Sequence, residues 1–128
     1  MSITGLAVSI ASPLPKLDSF DRYLFIGPHP DDIEIGAGAT AAKLVQSGKA
    51  VAFLCCIDGR FGSDTVPPEE LIPMRRAEAR VSAAALGVTD VRFLPFCDGG
   101  FYEQNELKSA IARIVGEFKP EIGRASCR

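Results

Sequence analysis

The sequence lacks the features that would tie it to nucleic acid or to a bilayer. No block of like charge and no basic stripe runs through it. Its 14 Lys and Arg are interspersed with 16 Asp and Glu, so no nucleic-acid partner is expected. The apolar runs are broken by Lys, Asp, Gly or Pro, well short of the roughly 20 residues that span a membrane, so no membrane segment is expected either. Neither Lys nor Arg precedes Lys16, and no A-x-A-like cleavage site stands ahead of a folded start. A secretory signal is therefore not expected, and the predicted location is cytoplasmic. The four cysteines (Cys55, Cys56, Cys97, Cys127) show no C-x-x-C spacing. Cys55 and Cys56 lie in the apolar run AVAFLCCID and read as small core residues in a reducing compartment, not as a disulfide framework or a thiolate metal site. Histidine is scarcer still: His29 is the single one in 128 residues.

What is present is an ordinary globular composition, 47% hydrophobic and 23% charged, in a chain long enough for one core. Residues 1–20, with ASPLPKLDS, read as an extended leader outside that core. Arg22–Gly27 and Ala50–Ile57 are short continuous apolar runs, as fully buried strands require, and Val91–Pro95 is a third strand. Small and apolar residues at Ala37, Thr40, Ala41, Leu44 and Val45 predict a helix over Gly36–Gly48, with Gly48 as its stop. Pro67–Leu86 is a second helix opened by Pro-Pro-Glu-Glu, in which Pro73 sets a kink or a later start. An apolar stripe over Glu103–Phe118 predicts a third. Three strand–helix repeats imply an α/β fold: a Rossmann-like parallel sheet with flanking helices, joined by right-handed crossovers. Three strands make a thin sheet, so the fold is expected to be truncated after about three βα units.

The last eight residues, EIGRASCR, do not read as a strand. They match, residue for residue, a translation of a common sequencing-library adapter, GAG ATC GGA AGA GCG TCG TGT AGG. Native sequence is therefore expected to end near Pro120. That gives a leader at 1–20, a domain at 21–120 and a non-native read-through tail at 121–128.

The stretch Gly27-Pro28-His29-Pro30-Asp31-Asp32-Ile33-Glu34-Ile35-Gly36-Ala37-Gly38-Ala39-Thr40 carries the chemistry. It follows the carboxyl end of the first strand, where ligands bind in open α/β sheets. Two prolines stiffen the turn, and Pro30 pushes His29 toward an extended backbone. His29 and Asp32 supply a borderline nitrogen and a hard oxygen, both acceptable to Zn²⁺. Adjacent carboxylates repel unless a cation compensates them, and a divalent metal does so. With Asp32 on the metal, Asp31 remains as general base toward the attacking water. The bland alternatives are a polar loop histidine, and aspartates that complement a helix dipole. The second would need the helix to start earlier than Gly36. Glu34 is given no catalytic role.

PHPDDIEIGAGAT resembles the signature of the PIG-L/LmbE family, whose members include de-N-acetylases acting on N-acetylglucosaminyl lipids, inositols and malates. There the motif runs P-H-P-D-D, a short acidic and apolar stretch, then G-x-G-G-T; this chain has Ala39 where Gly is usual. The likeness extends over roughly residues 22–120. Asp58-Gly59-Arg60-Phe61-Gly62 is similar to the family's D-G-x-x-G loop. Arg75-Arg76-Ala77-Glu78, with Leu86-Gly87, is similar to its R-x-x-E helix ending in L-G. Phe93-Leu94-Pro95-Phe96-Cys97-Asp98-Gly99 is similar to its strand and loop ending in aspartate. The resemblance implies Zn²⁺ held by His29 and Asp32, Asp31 as the base, and Arg75 and Asp98 as contacts for sugar hydroxyls or an anionic aglycone. The substrate it implies is a small-molecule N-acetylated amino-sugar conjugate. The alternative reading makes Arg75 with Glu78 a helix-surface pair, and Asp98 a turn residue before Gly99-Gly100.

The family's remaining zinc ligand comes from an H-x-D-H-like segment, and a second histidine there assists the tetrahedral intermediate. With one histidine, this chain fills neither role. The intact parent is expected to be a metal-dependent amide hydrolase, and this chain alone to bind zinc weakly and turn over little. Two other readings compete. Gly36-Ala-Gly38-Ala-Thr-Ala41 formally fits G-x-G-x-x-A, with Asp58 about twenty residues on, as in a dinucleotide-binding module. The fold could also serve as a non-catalytic binding domain.

Overall fold

A computed structural model describes residues 16–125 of the chain, with side chains through Glu121. The elements run β1 (Arg22–Gly27), α1 (Asp32–Gln46), β2 (Ala50–Ile57), α2 (Pro68–Ala85), β3 (Asp90–Phe96), α3 (Gln104–Phe118) and β4 (Ile122–Ala125), after a short 3-10 turn at Leu17–Ser19. All strand pairs are parallel, in the order β3-β2-β1-β4. The chain steps outward from β1 to β3, then returns through α3 to the other side of β1. This reversal is the switch point of a doubly wound sheet, and the crevice it opens lies at the carboxyl end of β1.

Alternate residues of the central strands bury on opposite faces. Tyr23, Phe25, Val51 and Phe53 pack with Ile33, Ala37, Ala41 and Leu44 of α1 and Ala83 of α2. Leu24, Ala52, Leu54 and Cys56 pack with Ile114 and Phe118 of α3. Burial on both faces explains why β1 and β2 are continuous apolar runs. Leu24, 1% exposed, sits in the middle of the second cluster. Leu24→Ala is expected to cost about 2–5 kcal/mol, read as a lower urea midpoint at unchanged slope.

Three expectations need correction. First, α1 begins at Asp32, four residues before Gly36. The turn His29–Asp32 closes on itself: the His29 carbonyl accepts from the Asp31 and Asp32 N–H groups, and the His29 N–H donates to Asp32 Oδ2 at 3.0 Å. Helical bonding then opens with the Ile35 N–H on the Asp31 carbonyl. Gly36 and Gly38 therefore lie inside a helix, with Gly38 facing Leu86 at the end of α2, and Ala39 is exposed. A dinucleotide fingerprint needs its first glycine in the tight turn itself, so that reading loses its geometry. Second, α2 is continuous from Pro68 through Pro73, without a later start. Third, Ile122–Ala125 does form a strand, paired with β1 from Tyr23↔Ile122 to Ile26↔Ala125. After α3, Lys119 turns left-handed (φ 53) and the chain meets the other edge of β1, whose open backbone groups accept almost any extended segment. Of the leader, Phe20 packs against the first cluster and the Tyr23 hydroxyl donates to the Phe20 carbonyl at 2.9 Å; residues 1–15 lie outside the described residues, as does Cys127.

Candidate metal centre

Two strand ends shape the site. Gly27 closes β1, and a Cβ there would sit 2.8 Å from Ile33 Cγ1 and 3.3 Å from Asp32 Cβ. The missing side chain lets the first turn of α1 press against the strand, which carries Asp32 into the crevice. The β2 end holds the loop from the other side: the Ile57 N–H donates to the Pro28 carbonyl at 2.8 Å. Gly59, in the left-handed region at φ +68, places its α-carbon against the Pro30 ring, where a Cβ would meet Pro30 Cδ at 3.2 Å.

The five residues singled out from the sequence come together. His29, Asp31, Asp32, Arg75 and Asp98 line one cavity of about 200 Å³, with Pro30 and two glycines. His29 Nδ1 lies 3.3 Å from Asp32 Oδ2, and its Nε2 lies 3.1 Å from Asp98 Oδ1. Asp32 is 3% exposed and stands in the first turn of α1, where the helix dipole favours a negative charge. Asp31 is half-exposed. Arg75 Nη2 donates to Asp31 Oδ2 at 3.3 Å, and its Nη1 donates to Glu78 Oε2 at 3.0 Å. The helix-surface pair and the bridge to the motif loop thus coexist on one guanidinium.

The donor set can be compared with what zinc requires. A tetrahedral site with bonds of about 2.0–2.1 Å has ligand–ligand edges of about 3.3–3.4 Å, the separation of His29 Nδ1 and Asp32 Oδ2. The second ring nitrogen meets a carboxylate, as ligating histidines usually do. The pair fits zinc in kind and spacing. Among the described residues, no group of three His, Cys, Asp or Glu side chains converges, so the pair is one protein ligand short of a catalytic site.

Sequence reasoning placed Asp58 and Arg60 in the D-G-x-x-G loop, and Asp58 in the competing dinucleotide reading, but gave neither a role at the metal centre. Asp58, 4% exposed, ends β2 and accepts from the Asp98 N–H, the Arg60 N–H and the Arg60 guanidinium. Burial pushes its carboxyl up, but the Arg60 guanidinium and the two N–H groups outweigh this and hold it below the usual carboxylate range. The signals in the sequence were its place at a strand's carboxyl end and its lead position in the D-G-x-x-G loop. A group depressed in the folded state contributes stability above its unfolded value, about 3.9 for Asp, and loses it as pH falls through the folded value. Asp58→Asn is therefore expected to flatten the acid limb of a plot of urea midpoint against pH; a limb as steep as the parent's would contradict this. Cys55, by contrast, is core: burial pushes its thiol up to about 12. Cys55 and Cys97 are free thiols.

No helix among the described residues is long and apolar enough to cross a membrane. Known proteins are similar to this chain in sequence and in fold. A 1D-myo-inositol 2-acetamido-2-deoxy-alpha-D-glucopyranoside deacetylase of Kineococcus radiotolerans is 38% identical, over 85% of this chain and 39% of its own length. A diacetylchitobiose deacetylase of Thermococcus kodakarensis is 36% identical, over 79% of this chain and 39% of its own. The solved N,N'-diacetylchitobiose deacetylase of Pyrococcus horikoshii, complexed with an inhibitor, superposes with a TM-score of 0.78 at 26% identity, over 95% of this chain and 49% of that one. The chain thus spans about two fifths of the length of the curated relatives it matches. With the P-H-P-D-D turn at the switch point and the family model matched over residues 24–122, the chain belongs to the PIG-L family, that of GlcNAc-PI de-N-acetylase.

Proposed function

We propose that this chain is the N-terminal part of a zinc-dependent N-deacetylase, one that removes the acetyl group from a small N-acetylglucosaminyl-type conjugate in the cytoplasm. The observation that carries the reading is an imidazole nitrogen and a buried carboxylate oxygen 3.3 Å apart, with a second carboxylate next to them in the chain. Relatives named as deacetylases of acetamido sugars support the choice of bond and substrate class.

In this mechanism His29 and Asp32 hold the zinc, with the third ligand a histidine from outside these 128 residues. When bound, zinc supplies a Lewis acid that polarises the acetyl carbonyl and acidifies the attacking water. Asp31 takes the proton from that water and passes it to the leaving amine. Arg75, anchored on Glu78, steadies the Asp31 carboxylate at the cavity wall. Arg75 and Asp98 also offer polar atoms to sugar hydroxyls. The chain on its own binds zinc weakly and turns over little.

The test is acetate release by the full-length polypeptide from a panel of N-acetylglucosaminides, zinc-loaded and after chelation. Release that is lost on chelation and restored by zinc is expected. A zinc-replete enzyme that releases no acetate from any N-acetylated amino sugar would end the proposal.

A further inference from the structure

The mechanism leaves one buried ionic group unused. Asp58 is 4% exposed, lies outside the motif loop and touches neither His29 nor Asp32 in any described contact. Burying a carboxylate is costly unless every lone pair is engaged, and here both oxygens are. Oδ1 accepts from the Arg60 N–H at 3.2 Å, from Arg60 Nε at 3.2 Å and from the Asp98 N–H at 3.2 Å. Oδ2 accepts from Arg60 Nε at 3.0 Å and Nη2 at 2.6 Å. The left-handed Gly59 between them folds Arg60 back over Asp58.

The position of this ion pair gives it reach. The β2–β3 register slips between Cys55 and Ile57, so the strand ends depart from regular pairing just before the site. Beyond the slip, the Asp58 N–H donates to the Phe96 carbonyl at 3.0 Å and Asp58 Oδ1 takes the Asp98 N–H. The backbone on both sides of Cys97 is thereby tied to the end of β2. Asp98 then presents Oδ1 to His29 Nε2 at 3.1 Å, which leaves Nδ1 facing Asp32. A ring held at one nitrogen by a carboxylate has its other nitrogen aimed, and such partners strengthen metal ligation.

We infer that Asp58, locked by Arg60, is a positioning residue: it fixes the Asp98 backbone so that the Asp98 carboxylate holds the His29 imidazole with Nδ1 turned toward the metal position. This rests on the zinc reading above. It gives the D-G-R-F-G loop a task at the metal centre although the described hydrogen bonds and ion pairs of His29 go to Asp32 and Asp98, not to that loop.

Two substrate-free readouts test it. In the full-length polypeptide, zinc affinity is measured by competition with a chromophoric chelator. Asp98→Ala is expected to weaken it about 10–100-fold, and Asp58→Asn to reproduce most of that loss with Asp98 intact. In the 128-residue chain, the single imidazole allows direct assignment by NMR. A slowly exchanging Nε2–H proton is expected in the parent chain and its loss in both variants. A folded Asp58→Asn protein with unchanged zinc affinity and an unchanged Nε2–H signal overturns the inference, whatever its urea midpoint. If Asp58→Asn does not fold, Arg60→Met takes its place, because it releases the carboxylate from the three guanidinium contacts; the same losses are expected, and unchanged readouts are equally fatal. A polypeptide that never deacetylates leaves the Nε2–H result standing, so the two claims fail separately.

Discussion

Asp31→Asn in the full-length polypeptide is expected to lower kcat by about 10²–10⁴-fold, a barrier increase of about 3–5 kcal/mol, with zinc content unchanged. The substitution is close to isosteric. Asparagine still accepts a hydrogen bond from Arg75, which donates to Asp31 Oδ2 at 3.3 Å, and it remains a favourable residue at a helix N-terminus. What it cannot do is take a proton from water. KM is expected to change little, because Asp31 is assigned to the transition state and not to ground-state binding. Steady-state kinetics with a metal assay on the same samples checks both halves, and full activity in the variant would remove Asp31 from the mechanism.

The second large effect concerns Asp32. Zinc at 100 times its dissociation constant is expected to stabilise the full-length polypeptide by about 2.7 kcal/mol, since it binds the folded state alone. Asp32→Asn is expected to abolish most of that gain at the same zinc concentration, because a neutral amide is a poor ligand for a divalent cation. The metal-free protein is expected to change by less than about 1 kcal/mol: the amide oxygen can still accept the His29 N–H, and losing the helix-dipole interaction is offset by removing a buried charge. Urea titrations with and without zinc measure both terms. A variant that keeps the full zinc-dependent gain would show that Asp32 is not a ligand.

Much of this was legible in the sequence, unevenly and for physical reasons. β1 and β2 were read to the residue because a strand buried on both faces is a continuous apolar run. The start of α1 was misplaced because glycines at 36 and 38 look like a boundary. The true start is set by hydrogen bonds of the His29–Asp32 turn, which composition does not reveal. β4 was missed because pairing at a sheet edge is a backbone matter and asks little of side chains. Within the site, His29, Asp31 and Asp32 are contiguous and could be read as a unit. Asp98 joins them across 69 residues, and its approach depends on the register slip at the end of β2. No local pattern encodes that slip, so the D-G-x-x-G loop was visible as a motif while the link from Asp58 and Arg60 to Asp98 was not.

Anomalous diffraction at the zinc edge, from crystals of the full-length polypeptide grown with zinc, tests the central claim most directly. A peak beside His29 Nδ1 and Asp32 Oδ2, at the mouth of β1, is the expected result. A map with excess zinc in the crystal and no peak at that turn would contradict the account.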